Sequence, residues 1–403
     1  YKIVRIESNR NQGGIMKNKE NTVQKKQRDS SIEIARIYAC IMVVWAHIQI
    51  SYIDGDKINK TGLVIKNLIG DNVPVFLLIL GFFAFAKLQG DDRMDKLPGV
   101  YWDKIKGFLV NVYIPTIIVT FLAALFYGFV YGQCSFGAEF TAQGVHRFDL
   151  LSSYILKQAP EDMVGQFWYI VKYIRVIVFF PLLAVICHDD RAMNRIRRSY
   201  LAVGWLYYWI QDISYLKNTT APVDLKEYVF DNYILYVILG YEIALFLKKI
   251  KWERWQICLL GAGCLVLGVW LRYGLTIRAF SVYGFGQSSY FSGLECAPSY
   301  LSSAGVLILC CGLFRGMHNA LIQYLGALTF YVFCFHGAML RIFGTKGQQI
   351  QTHFGGAQTG HGILLYYVVY GGLIFATAFV LGVIMKFLYD RAVRGLRAVF
   401  TSR

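Results

Sequence analysis

The chain has 403 residues, 56% of them hydrophobic and only 16% charged, with a mean hydropathy of +0.43. A soluble domain of that length carries about a quarter charged residues, so the composition excludes one and points to a single polytopic membrane domain. The formal net charge of +16 argues against nucleic acid by its distribution, because Lys and Arg fall in alternate connections instead of on one basic face.

Residues 1–31 are polar and basic and read as a cytoplasmic tail. They do not read as a cleaved signal peptide, because the apolar segment that follows is as long as a span and contains Arg36. Segments long enough to cross a hydrocarbon core of about 30 Å then occur at ten places. They are 32–53, 73–88, 108–131, 167–187, 200–215, 228–247, 256–275, 297–313, 321–340 and 363–387. An even number puts both termini on one side. Tails and even-numbered connections hold about 27 Lys and Arg against about 11 in the odd-numbered ones, which puts both termini in the cytoplasm. The expectation is an all-α fold of about ten transmembrane helices over 32–388, between basic cytoplasmic tails at 1–31 and 389–403. No repeat of fixed period and no inverted half-to-half similarity is visible.

Three outward connections stand out. Residues 132–165 are expected to hold a short helix over 149–156. Residues 276–293 interleave Phe280, Tyr283, Phe285, Tyr290 and Phe291 with glycines and serines, and 344–362 are rich in Gly, Gln and His. Such connections serve either as binding surfaces or as plain links, and both readings stand. Trp102, Trp168, Trp252 and Trp255 fall at segment ends, where indoles anchor at the interface. The nine cysteines show no CxxC or Cys/His metal spacing, so no metal is expected. Cys134 and Cys296 lie near outer connections, where an oxidising exterior would let them pair.

The ionisable residues inside the spans carry the functional signal. Arg36 and His47 are eleven residues apart, which leaves them about 20° apart around a helix and about 16 Å apart along it. An ionisable residue in a spanning helix costs at least ~2.5 kcal/mol on insertion scales, so this shared face looks into protein or a wet cavity. The topology puts Arg36 in the inner half of the membrane and His47 in the outer half. His336 and Arg341 fall near the outer end of the ninth segment, and Lys172 and Arg175 in the outer half of the fourth. Asp212, Asp231, Arg272 and Glu295 also fall near outer ends. Arg272, Asp231 and Arg341 have an ordinary reading at the water line, Lys172 and Arg175 as snorkelling or paired cations, and a lone His as an interhelical hydrogen-bonder. Two His at one depth, one of them aligned with an Arg, favour a site.

The stretch Ser31-Ile-Glu-Ile-Ala-Arg36, continuing to Trp45-Ala-His47, resembles the Arg-x10-His signature that opens the acyltransferase-3 family of membrane acyltransferases. Val73-Pro-Val-Phe-Leu-Leu-Ile-Leu-Gly-Phe82 resembles the family's second-span stretch, with Leu80 in place of the usual Ser. Phe167-Trp-Tyr-Ile followed by Pro181-Leu-Leu resembles its Leu-Trp-Phe and Pro-Leu segment. Leu325-Gly-Ala-Leu-Thr-Phe-Tyr-Val-Phe-Cys-Phe-His336 resembles its late stretch ending in His, with Thr329 and Phe333 substituted. Where the family commonly has Arg-x2-Arg, this chain has Lys104-Ile-Lys106, point charges without a bidentate fork.

The resemblance implies a cell-membrane enzyme that moves an acyl group, usually acetyl, from cytoplasmic acetyl-CoA to a hydroxyl of a sugar or cell-envelope glycan. Arg36, Lys104 and Lys106 would hold the acyl-CoA, with Arg195 to Arg198 adding to the basic inner entrance. His47 would act as base or transient nucleophile, with His336, Lys172 or Arg175 as the stabilising donor. Trp168, Lys172, Arg175, Glu295, Tyr283 and Tyr290 would face the acceptor. The expected partners are the acyl-CoA, the hydroxyl acceptor and membrane lipids; a homo-oligomer is compatible with the chain. The alternative is a secondary transporter whose Arg and His relay protons.

Overall fold

The computed structural model describes residues 29–48, 53–54, 57–119, 122, 168–219, 225, 229–284, 288–354 and 359–401. These form α1 (Ser31–Ala46), a two-stranded antiparallel hairpin of β1 (Ile53–Asp54) and β2 (Lys57–Ile58), α2 (Lys60–Ile69) and α3 (Asn72–Ala84). Then come α4 (Arg93–Phe108), α5 (Trp168–Ile186), α6 (Arg191–Leu216), α7 (Asn232–Lys249) and α8 (Arg254–Tyr283). The chain closes with α9 (Ala297–Leu313), α10 (Ala320–Ile342), α11 (Gly344–His353) and α12 (Gly360–Thr401). A π turn, Leu109–Tyr113, prolongs α4, and a 3-10 turn, Ser288–Ser292, precedes α9.

The helices start where the sequence supplies caps. Asp190 accepts from the Met193 amide at 2.8 Å, Asp231 from Tyr233 at 2.8 Å and Asn319 from Ile322 at 3.2 Å. Glu253 and Gln256 form a reciprocal capping box at the head of α8. α8 stops at Gly284, whose φ of 68° is open to glycine and strained for other residues.

Packing follows from small residues. α8 and α9 run antiparallel with Gly268 against Ser302 and Gly305 against Leu265, and a Cβ at either glycine would overlap the facing backbone. Close backbone approach of this kind is what holds helices together where lipid offers no hydrophobic drive. α1 and α10 run parallel: Glu33 packs on Gly326, the Cys40 thiol donates to the Thr329 carbonyl at 3.4 Å, and His47 meets His336. α12 lies antiparallel to α10, its Tyr370 hydroxyl donating to the Leu340 carbonyl at 3.3 Å. Among the described residues five helical segments are long and apolar enough to cross a membrane: Lys60–Ala84, Arg254–Tyr283, Tyr290–Leu313, Ala320–Ile342 and Gly360–Gly395. Leu182, Leu206, Leu259, Val266, Trp270 and Val380 point outward from the bundle, a surface suited to lipid and not to water. The protein is a helical membrane protein.

Several elements depart from expectation. Among the described residues the fold is helical except for the short β1–β2 hairpin. α1 ends at Ala46, short of residue 53, and His47 is its C-cap. The connection before the second segment folds as α2, started by Asn59, whose side chain accepts from the Gly62 amide at 3.0 Å. α8 extends through Tyr283, so much of the aromatic connection 276–293 is helix, because no glycine interrupts it between Gly274 and Gly284. The connection 344–362 contains α11, and the basic stretch after 388 continues α12 as one helix to Thr401. The basic residues after the fourth segment form the first turns of α6. The helix expected over 149–156 lies outside the described residues.

Candidate functional site

The two histidines read at one depth lie ring to ring, with centroids 4.9 Å apart and planes tilted by 45°. α1 and α10 carry them there because the helices are parallel and in register from Glu33–Gly326 upward. His47 ends α1 with near-helical torsions, φ −86° and ψ −7°, so it keeps the face it shares with Arg36. His47 is exposed and His336 is fully buried. The His336 Nδ1 lies 2.6 Å from the Phe333 carbonyl, and its Nε2 is buried with no hydrogen-bond partner in the structure.

Below the histidines runs a line of aromatic contacts. Phe333 sits 5.8 Å from the His336 ring and 6.1 Å from Tyr169. Tyr169 is 6.3 Å from Tyr173, which is 5.6 Å from Phe108. Phe108 is four residues beyond Lys104 in α4, hence on the same face. The Arg36 guanidinium donates to Glu33, and its charge reaches both Tyr169 and Tyr173. Lys104 lies 5.8 Å over the Phe180 ring, and burial, then the charge of nearby Lys87, holds its ammonium below the usual lysine range. Lys106 is exposed and lies 5.5 Å over Trp102. The structure thus links Arg36, Lys104 and the histidines along one line and leaves Lys106 at its edge.

The residues read as facing the acceptor divide into two groups. Lys172 lies 4.8 Å over the Tyr233 ring, and Arg175 donates to Asp231 at 3.4 Å. Tyr290 stacks on Tyr215 at 4.2 Å, Tyr283 donates to the Tyr215 carbonyl, and Tyr290 shares a hydrogen bond with Asp212. Glu295 is exposed nearby in sequence to this cluster. The side chain of Trp168 lies outside the described residues, as does Cys134. Cys296 is a buried free thiol within 3.5 Å of the Ser299 hydroxyl.

Two groups escaped the reading of the sequence. Lys66 on α2 brings its charge to bear on His47. Arg272, read as sitting at the water line, is fully buried in an ion pair with Asp71 at 2.9 Å, and Ser302 and Ser303 donate to the same carboxylate oxygen at 2.7 and 3.1 Å. Its remaining donors go to the carbonyls of Asn67, Phe291 and Ser292 at 2.7, 2.9 and 2.8 Å. One guanidinium therefore fastens the end of α2 to the turn before α9. The signal for Lys66 was Asn59 followed by apolar residues at 63, 65, 68 and 69, a capped helix too short to register as a span.

The basic stretch at the other end of the bundle is more structural than expected. Arg197 is fully buried and donates to Glu242 at 2.6 Å and to the carbonyls of Ile186 and His188 at 2.8 and 3.0 Å. Arg198, itself exposed, donates to the same carboxylate at 3.1 Å, and Arg191 and Arg195 are exposed as well. No group of three or more metal-ligating side chains comes together among the described residues.

These features define a helical membrane protein with paired imidazoles at one end of an aromatic seam and cations at the other. A family model described as an acyltransferase domain matches residues 29–383, nearly the whole chain, and the chain belongs to the acyltransferase 3 family. No curated protein and no solved structure matches it.

Proposed function

We propose that this membrane acyltransferase takes an acyl group, acetyl in the simplest case, from cytoplasmic acyl-CoA and delivers it to a hydroxyl of a sugar or cell-envelope glycan. The reading includes ten spans in the cell membrane with both termini cytoplasmic. The observation that carries it is the seam from Lys104 through Phe108, Tyr173, Tyr169 and Phe333 to the His336–His47 pair. A polyanionic donor suits Lys104, Lys87 and Lys106 as point charges, and the charge of Arg36 reaches Tyr169 and Tyr173 of the same seam. The pantetheine arm is long and thin enough to follow an apolar seam toward His47.

At the far end the chemistry needs a base and a cation. His47, exposed beside the buried His336, takes the proton of the acceptor hydroxyl as its oxygen attacks the thioester carbon. The carbonyl oxygen gains negative charge, and Lys66 is the nearby cation that stabilises it. The C–S bond breaks, and the proton held by His47 passes to the leaving thiolate. Lys172 and Arg175 are engaged by Tyr233 and Asp231, so they suit binding of the acceptor better than stabilisation of the oxyanion.

The test is release of free CoA by the purified chain from acetyl-CoA with a hydroxyl acceptor, followed by mass analysis of that acceptor for acetyl addition. Acetyl-CoA consumption that depends on the acceptor supports the reading. Substrate counterflow in proteoliposomes without consumption of CoA would establish the transporter instead.

A further inference from the structure

We propose that His336 is a positioning residue: its Nε2 accepts the N–H of the His47 ring and so fixes the other nitrogen of His47 as the lone pair that meets the reactants. The Phe333 carbonyl beside the His336 ring can only accept. At 2.6 Å the hydrogen must sit on His336 Nδ1. A neutral imidazole carries one N–H, so Nε2 is left as an acceptor and nothing else. That acceptor is buried and without a partner in the structure. Leaving a buried polar atom unpaired is destabilising, which is strong pressure to find a donor.

The neighbours of the ring restrict the choice. Phe333, 5.8 Å away, offers no donor, whereas His47, at 4.9 Å, offers one. Among the described residues, Lys66 from α2 also brings its charge to bear on His47, and Tyr367 from α12 packs on Trp45, two residues before it. The Tyr367 hydroxyl is already used on the Ile48 carbonyl at 3.3 Å. His47 keeps surface access at the end of its helix, so its ring lies at the edge of the bundle beside the enclosed His336. Burial also separates the roles: the exposed ring meets reactants, and the enclosed one orients it. The arrangement follows the logic by which a third group sets the tautomer of a catalytic histidine, with an imidazole backed by a carbonyl in place of a carboxylate. When His47 gains a proton, the N–H shared with His336 stays in place and helps to carry the charge.

The effect on turnover rests on the acyl-transfer reading, but the hydrogen bond does not, so its test uses no substrate. Diethyl pyrocarbonate acylates neutral imidazole, and its rate at His47 can be read by mass spectrometry of the peptide containing that residue. The full chain in detergent is labelled at about pH 8, where an ordinary histidine is neutral. His336→Phe keeps a ring but removes the acceptor, and His47 should label several-fold more slowly. His336→Gln places an amide oxygen near the former Nε2 and should restore most of the rate. Labelling of His47 at the wild-type rate in His336→Phe overturns the proposal. So does an equal slowing in His336→Gln, which would assign the effect to packing. If His336→Phe fails to fold by thermal shift, His336→Leu takes its place with the same two outcomes. A chain that shows this contrast but transfers no acyl group from any donor keeps the positioning role and loses only the acyl-transfer reading.

Discussion

At the scale of single residues, the chemistry rests on an exposed imidazole and an adjacent cation. His47→Ala removes the base and should lower acyl transfer by about 10²–10⁴-fold while leaving insertion intact, because the side chain is exposed at a helix end. Wild-type turnover in a correctly inserted His47→Ala chain would return His47 to a packing role. Lys66→Met keeps the length of the side chain and removes its charge. If Lys66 stabilises the oxyanion, turnover should fall by about 10²–10³-fold with little change in the KM for donor. A rise in KM alone would make Lys66 a binding residue. Of this pair only His47 was legible in the sequence. A histidine inside a span-length apolar segment is conspicuous, whereas Lys66 stands in an apolar stretch too short to register as a span and gains its meaning when α2 folds against α1.

At the scale of elements, most expected segments begin within a few residues of the observed helices, but α6 begins nine residues before the segment expected at 200–215. Asp190, Asp231, Asn319 and the Glu253–Gln256 box mark starts with specific hydrogen bonds. α8 and α12 run well past their apolar windows because the residues that follow, through Tyr283 and Thr401, include no proline to stop a helix. Asp190 also gives the N-terminal end of α6 a pH dependence. The Met193 amide, and then the neighbouring His188, hold its carboxyl below the usual range. A depressed folded-state value means that the cap adds stability above the unfolded value near ~3.9 and loses it as pH falls through the folded one. The window therefore lies below about pH 4. Hydrogen exchange at the Met193 amide should accelerate, relative to neighbouring helix amides, when pH is lowered through that window. Asp190→Asn caps without titrating and should abolish the relative change; if the acceleration persists, another group is responsible.

At the scale of the whole molecule, counting the basic connections gives each apolar window of the sequence a direction. That reading put His47 and His336 at one depth, and the structure sets the two rings side by side. It could not show that Arg272 and Asp71, 201 residues apart, meet in the interior, since hydropathy treats a charge near the end of a window as a charge at the water line. The pair ties α8 to the α2–α3 turn, and through Ser302 and Ser303 to α9. Breaking one partner of a buried pair leaves the other charge without compensation and costs about 3–5 kcal/mol, whereas replacing both with apolar residues is often neutral. Arg272→Met should therefore lower the thermal stability of the detergent-solubilised protein sharply. Arg272→Met combined with Asp71→Leu should recover much of the loss, because no buried charge remains. The double variant should still lack turnover, because the carbonyls of Asn67, Phe291 and Ser292 lose their shared donor and α2 no longer holds Lys66 beside His47. Recovery of stability together with full activity would show that the clamp serves the fold alone. A double variant as unstable as Arg272→Met would show that the carbonyl contacts, and not the charge pair, hold these elements together.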